Sequence, residues 1–294
     1  MNLVEADAPR AVIVVSSHVA RGSVGNRAAV FALETLGYPV WAVPTVILPW
    51  HPGHGRATRI VPEPEQFAAL MKDLEQAPWL GEVAGVLSGY LGNAEQAHAV
   101  ASLVQAVRAK NPRATYICDP VMGDAGGLYV AEPLARALRD VLVPIADIAT
   151  PNRYELEWMA GAKLDDMRSV IAAANDAGPA TMLVTSAPAM IAGGIGNLLL
   201  TPSAALLAEH RIIERPPNGL GDLTAAVFLA RLLDGQPAAK ALQSTTAAVY
   251  EILARTAKRG GDELQLETDA QSLSHPMAMV QLRHLTHPGR DRRA

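Results

Sequence analysis

The run Ala11-Val12-Ile13-Val14-Val15 has no polar residue in either phase of a two-residue repeat. A strand with one wet face alternates, so this β-branched run predicts a strand covered on both sides, as in a parallel sheet. Strand-like segments return along the chain. Residues 40–44 are a weaker example, and Gly85-Val86-Leu87-Ser88 runs into the turn Gly89-Tyr90-Leu91-Gly92. Residues 115–118, 145–148 and 181–185 follow, and 197–200 with 205–208 read as a hairpin. Between them lie helical patterns at 28–36, 64–75, 94–109, 133–142, 153–159, 167–177, 223–233 and 237–258. Strands alternating with helices predict an α/β fold: a mainly parallel central sheet with helices on both faces. No low-complexity linker or internal repeat interrupts it. A single domain over 1–294 is expected, its core at about 10–270, with a frayed tail at 290–293.

Half of the 294 residues are apolar, enough for a large core. The formal charge of −4, without a basic run before the tail, gives no electrostatic case for nucleic acid. Cys118 is the one cysteine, so neither an internal disulfide nor a cysteine-based metal site is expected. Glu5 and Asp7 precede the first apolar run, unlike a signal peptide, and no apolar stretch is long enough to span a bilayer. A cytoplasmic protein is the default expectation.

Chemistry is most concentrated at Asn218-Gly219-Leu220-Gly221-Asp222. Two glycines and an acid stand directly before an apolar run with helical spacing, and Gly235 supplies a stop. A tight turn opening a helix leaves main-chain N–H groups unpaired at the positive end of the helix dipole, a site suited to phosphate. An acid there is useful if it takes a proton from a hydroxyl attacking that phosphate. An ordinary turn with an Asp N-cap explains the same string. Other strand ends favour the first reading. In open α/β sheets ligands lie beyond the carboxyl ends of the strands. Ser17, Tyr90, Asp119, Asn152 with Glu155, Thr185 and Gly219–Asp222 all fall there. Asp119 and Glu155 suit magnesium, which rides on substrate phosphates with one or two carboxylates nearby. Their alternatives are a turn at Asp119-Pro120 and a capping pair between Asn152 and Glu155. Together the groups point to a phosphotransferase. The Pro- and Gly-rich stretch Leu48-Pro49-Trp50-His51-Pro52-Gly53-His54-Gly55 predicts no regular element and reads as a cover over a ligand.

The string Ser16-Ser17-His18-Val19-Ala20-Arg21-Gly22-Ser23-Val24-Gly25-Asn26-Arg27 strongly resembles the N-terminal motif of pyridoxal kinases, members of the ribokinase-like superfamily. Leu87–Gly92, Cys118–Gly123, Ala146–Asn152, Gly219–Asp222 and Thr245–Ile252 resemble further segments of that family, so the likeness covers roughly residues 10–270. It implies ATP-dependent phosphorylation of the 5′-hydroxymethyl group of pyridoxal, and often of pyridoxine and pyridoxamine. By this resemblance Asp222 is the base, and Gly219, Leu220 and Gly221 give main-chain donors to the transferring group. Ser17, Val24, His51 and Tyr90 lie on the substrate side. Asp119, Asn152 and Glu155 surround magnesium and the ATP phosphates, Asp119 and Glu155 reaching the metal through water or phosphate. Thr150 and Thr185 match nucleotide-side positions. The resemblance also implies a homodimer through the sheet edge and leaves room for a monovalent cation such as K+.

Three departures stand out. Bacterial relatives commonly read Gln-Phe-Ser-Asn-His-Thr where this chain has Ile47-Leu48-Pro49-Trp50-His51-Pro52, so Pro52 removes a hydroxyl. Thr185 stands where some relatives carry a lysine, and the cover at 210–217 is short. The neighbouring reading, a hydroxymethylpyrimidine kinase, fits less well, because those enzymes often have Cys where this chain has Asp222. A protein that holds pyridoxal phosphate without turnover is the non-enzymatic alternative.

Overall fold

The computed structural model describes residues 10–287. The opening apolar run becomes β1 (Ala11–Val19), and its side chains divide between two cores as the pleat requires. Ile13 and Val15 join Phe67, Met71, Val100 and Leu103 on one face. Val12 and Val14 join Ala29, Leu33, Val227 and Ile252 on the other. This is why the run carries no polar position.

After β1 come α1 (Asn26–Thr35), β2 (Val40–Leu48), α2 (Pro64–Glu75), β3 (Val83–Ser88) and α3 (Glu95–Lys110). Next are β4 (Thr115–Cys118), the two-residue strands β5 (Gly123–Asp124) and β6 (Gly127–Leu128), and α4 (Glu132–Ala137). Then follow β7 (Ile148–Ala149), α5 (Arg153–Ala160), α6 (Met167–Asp176), β8 (Thr181–Pro188), β9 (Gly194–Leu200) and β10 (Ala205–Arg211). The chain continues through α7 (Leu220–Leu233), α8 (Ala238–Lys258), α9 (Ala270–Ser274) and β11 (Gln281–Leu285).

Among the described residues, nine strands form one sheet in the order β11-β10-β9-β8-β7-β4-β3-β1-β2. Pairings from β2 across to β8 are parallel; β8-β9, β9-β10 and β10-β11 are antiparallel. The expected mainly parallel α/β sheet, covered on both faces, is the architecture found. No helix among the described residues is long and apolar enough to cross a membrane.

Four boundaries differ from expectation. β1 does not end at Ser16 but continues to Val19, with a register shift against β2 between Ser16 and His18. Such a bulge re-aims side chains without ending a strand. β2 runs on through Pro44, tolerable because β2 is an edge strand. The apolar stretch at 143–145 is a 3₁₀ turn after a widened turn at Leu138–Leu142, so the strand starts later, at Ile148. Short apolar runs do not separate a helix end from a strand by pattern alone.

The fourth difference concerns the end of the core, which extends beyond residue 270. β11 pairs antiparallel with β10 from Ala205–Leu285 to Glu209–Gln281, and Arg283 meets the buried Glu209. An outermost strand is half exposed, so its mixed sequence gives a weak strand signal. The tail at 290–293, like Glu5 and Asp7, lies outside the described residues.

Candidate active site

The carboxyl ends of the parallel strands open onto a cleft of about 690 Å³. At its floor is the first turn of α7. Gly219 takes the N-cap position at φ 94°, a left-handed conformation that glycine adopts freely, and no side chain caps the turn. The Leu220 and Gly221 amides therefore face the cleft without a capping side chain, as a phosphate site requires, while the Asp222 N–H meets its own carboxylate. Asp222, one turn in, receives an N–H from Gly25, the N-cap of α1. Gly25 is itself constrained: a Cβ there would fall 2.3 Å from the Ser17 carbonyl oxygen and Oγ. Three sequence segments thus converge on one carboxylate. Solvent reaches Asp222 along the cleft, yet protein surrounds it, and burial pushes its carboxyl up to about 6.

On one side of Asp222 lie Ser17, Val24, His51 and Tyr90. Ser17 sits at the β1 bulge, not beyond the strand end. Tyr90 is pinned by its main chain, its N–H donating to Ser16 Oγ at 3.1 Å and its carbonyl accepting from Thr45 Oγ1 at 2.7 Å. His51 begins a single 3₁₀ turn, Pro52–His54, its Nδ1 accepting the Gly53 N–H at 3.1 Å. Burial lowers the His51 pKa and favours the neutral ring.

At the centre, Asp119 and Glu155 are buried at 5% and 3% exposure. Thr150 Oγ1 donates to Asp119 Oδ1 at 2.9 Å. Asp119 Oδ2 is turned towards Gly221, 3.8 Å from where a Cβ would stand. Glu155 is differently engaged. Its Oε1 accepts from the N–H groups of Met122 and Gly123, and its Oε2 from Asn152 N–H at 2.8 Å. Asn152 Oδ1 accepts from Tyr154 and Glu155 in return, completing a capping box on α5. Asn152 Nδ2 donates to the Gly123 carbonyl at 2.8 Å. The capping alternative raised by the sequence is therefore present in the structure, and it fixes the Met122–Gly123 corner beside Asp119. Burial, then the charges of Glu155 and Asp222, push the Asp119 carboxyl well above the usual carboxylate range. Burial raises Glu155 too, despite its three N–H partners.

Asp119, Asp124, Glu155 and Asp222 line the cleft against one Arg or Lys among the described residues, Arg59. No group of three or more His, Cys, Asp or Glu is arranged to hold a metal ion among the described residues. An all-oxygen set with uncompensated negative charge fits a hard cation that brings water and phosphate ligands with it, rather than one held by a protein cage.

The far end is apolar. Ile212, Ile213, Val249 and Leu253 line it with His210 and Tyr250, whose rings stack at 4.4 Å between centroids and 27° between planes. Burial lowers the His210 pKa and keeps that ring neutral. Thr185 borders this end, its N–H donating to the Pro151 carbonyl at 2.9 Å. β10 extends to Arg211, so His210 belongs to a strand and only the residues after it form the cover.

All the residues expected from the sequence thus border one cleft. Nothing in the sequence marks Arg59, three residues after Arg56 and directly before Ile60-Val61, yet its Nη2 reaches Tyr90 Oη at 3.3 Å and the Gly92 carbonyl at 2.9 Å. The His210–Tyr250 pair joins residues forty positions apart, which no spacing rule connects.

A family model described as Phosphomethylpyrimidine kinase matches residues 64–266. The pyridoxal kinase PdxY of Rubrobacter xylanophilus is 38% identical over 281 residues, covering 93% of this chain and 97% of that protein. The corresponding protein of Corynebacterium diphtheriae is 35% identical, with 93% and 99% covered. Among solved structures, pyridoxal kinase from Leishmania donovani in complex with ADP and pyridoxine has a TM-score of 0.86 at 29% identity, covering 94% of this chain and 99% of that one. Sequence likeness that runs almost end to end, on a shared ribokinase-like fold, places this chain in the pyridoxal kinase family.

Proposed function

We propose that the protein transfers the terminal phosphoryl group of ATP to the 5′-hydroxymethyl oxygen of pyridoxal, and of pyridoxine and pyridoxamine, giving the 5′-phosphate and ADP. The observation that carries this reading is the position of Asp222. It stands beside the uncapped amides of α7, between a pocket at Ser17, Val24 and Tyr90 and an apolar slot at His210 and Tyr250. The relatives named above support it, one of them solved with ADP and pyridoxine.

The substrate ring lies against Tyr90, with Ser17, Val24 and His51 around it. Asp222 takes the proton as the hydroxymethyl oxygen bonds to the terminal phosphorus and the bond to the ADP oxygen breaks. A base of pKa about 6 is mostly ionised at neutral pH and still basic enough to accept that proton. The main-chain N–H groups at Gly219–Gly221 meet the charge on the transferring phosphoryl oxygens, and their fixed orientation costs no reorganisation. The adenine base enters the apolar slot, with Thr150 and Thr185 bordering the phosphate path.

Magnesium bound to the nucleotide would supply charge neutralisation at the phosphate oxygens. Asp119, through its free Oδ2, is the side chain placed to hold it. Glu155 and Asn152 keep the neighbouring corner in shape, and Glu155 acts at most through water. Without the magnesium charge the cleft carboxylates, set against one guanidinium, would repel a triphosphate whenever they ionise, and burial already holds Asp119 and Glu155 towards the neutral form. We place the activity in the cytoplasm, in a homodimer formed at the β2 edge of the sheet, where Ile47 and Ile60, bridged to each other through their main chains, are 43% and 55% exposed.

ADP release measured with pyridoxal, hydroxymethylpyrimidine and ribose, with and without Mg2+ and K+, tests the reading. Pyridoxal-dependent turnover is expected. Turnover with hydroxymethylpyrimidine alone would reassign the substrate, and none with any acceptor would leave a binding protein.

A further inference from the structure

We propose that Glu263 is a positioning residue for the acceptor substrate: it ties the cover at residues 50–55 to the Gly22–Gly25 corner and so holds the acceptor against Asp222. The inference rests on the kinase reading above. Glu263 follows α8 and does not line the cleft, but its carboxylate joins three segments. Its Oε1 lies 2.8 Å from His54 Nε2 and 3.6 Å from Arg21 Nη1. Its Oε2 accepts the Ser23 N–H at 3.4 Å. The next residue adds a buried bond, Ser23 Oγ donating to the Leu264 carbonyl at 2.8 Å. Gly22 makes room for this approach, since a Cβ at its φ of +108° would fall 2.5 Å from Glu263 Oε1.

On the cover side, the other hydrogen bonds of residues 50–55 are internal. Trp50 Nε1 donates to the Gly55 carbonyl, and Gly53 N–H to His51 Nδ1. His54 and Gly55 N–H groups return to the His51 and Pro52 carbonyls. The start of the cover is held by main chain, the Ala20 and Arg21 N–H groups donating to the Leu48 and Pro49 carbonyls; beyond Pro49, among the described residues, the His54–Glu263 contact is the hydrogen bond that joins the turn to the rest of the protein. His51 and Gly53 line the cleft, and Gly53 lies against Asn218 next to the anion loop. The contact therefore sets how the acceptor pocket is closed.

On the corner side, Ser23 packs its carbonyl against Gly219, and Gly25 donates its N–H to Asp222. A loosened Ser23 would be felt at the base. The nucleotide end, at His210 and Tyr250, shares neither route. Loss of the carboxylate should thus weaken acceptor binding and leave ATP binding alone, a separation that general destabilisation does not produce.

The test compares E263A, E263Q, H54A and E263A/H54A. The readouts are KM for pyridoxal and for ATP, kcat, and amide hydrogen exchange of peptides spanning residues 50–55. E263A should raise KM for pyridoxal about tenfold, the loss expected for a charge-assisted hydrogen bond. KM for ATP should stay within about twofold, and exchange at 50–55 should accelerate. E263Q retains an acceptor oxygen and should recover most of the affinity. H54A should produce the same exchange change with a smaller rise in KM, and the double variant should be no worse than E263A. Equal rises in both KM values, unaltered exchange at 50–55, or additive effects in the double variant would overturn the proposal. If E263A fails to fold, H54A and E263Q carry the same comparison, with His54 at the surface. If the parent turns over no acceptor, exchange and pyridoxal binding still judge the clamp, so its failure is distinguishable from failure of the kinase assignment.

Discussion

A Cβ placed on Gly219 would stand 2.0 Å from the carbonyl oxygen of Ser23. The two residues belong to loops some two hundred positions apart, and their contact sets the anion loop against the acceptor corner. Gly219 is also held at φ +94°, where side chains other than glycine are strained. Gly219→Ala should therefore separate the loops as well as strain the turn. Turnover is expected to fall at least a hundredfold, the scale of losing oriented donors at a developing charge. Steady-state kinetics check this, and thermal unfolding should show a loss of a few degrees. Activity within tenfold of the parent would mean that the anion loop is not where transfer occurs.

Asp222→Asn should lower kcat by orders of magnitude while pyridoxal still binds, because the amide keeps the shape but accepts no proton. Isothermal titration alongside kinetics separates the two effects. The same substitution should raise stability at neutral pH. Burial lifts the folded-state carboxyl to about 6, above its unfolded value near 3.9. The ionised acid therefore costs stability that is absent below pH 4 and fully present above pH 6. Solvent access along the cleft discounts the full shift, leaving a gain on the order of 1–2 kcal/mol for the amide at pH 8. Unfolding midpoints at pH 4 and pH 8 should show the gain only at the higher pH.

The catalytic pH profile follows from the same carboxyl. With nucleotide saturating and acceptor varied, kcat/KM should rise tenfold per unit at low pH and level off once the Asp222 carboxyl of the nucleotide-bound enzyme, at about 6 in the unliganded protein, is ionised. Pyridoxine should give the same limb as pyridoxal, since the group belongs to the protein. A limb that moves with the acceptor would assign it to the substrate.

Much of this site was readable in the sequence for a physical reason. In a parallel sheet the ligand lies beyond the carboxyl ends of the strands, so polar residues after apolar runs converge without any knowledge of contacts. Ser17, Tyr90, Asp119, Thr185 and Asp222 were legible in this way, whereas Thr150 came only with the family resemblance. Glu155 was legible in place but not in its contacts: the spacing to Asn152 suits both a metal neighbour and a capping box, and the structure contains the box. Arg59, Glu263 and the His210–Tyr250 pair were not legible, because each acts through tertiary contacts that leave no local pattern. β11 escaped for the opposite reason. An edge strand in contact with water lacks the apolar periodicity by which strands are recognised.

That edge carries a last prediction. Glu209 on β10 is 1% exposed and accepts from the N–H groups of Met190 and Ile191 as well as from Arg283 on β11. Burial opposes ionisation, but the guanidinium and the two N–H groups outweigh it and hold the carboxyl below its usual range. Its stabilising contribution is thus present above the unfolded pKa near 4.3 and lost as pH falls through the folded value. Arg283→Ala would leave a covered carboxylate without its counter-ion. For a deeply buried pair that costs 3–5 kcal/mol. Here the Arg283 side chain is 34% exposed and water lies just beyond it, which reduces the cost to roughly 1–3 kcal/mol. Arg283→Ala should lower Tm by several degrees at pH 7, and by clearly less at pH 3, where the carboxyl is largely protonated in the variant. The acceptor and ATP KM values should not change, because neither residue borders the cleft. An unaltered Tm at pH 7 would show that β11 is held by its main-chain ladder alone.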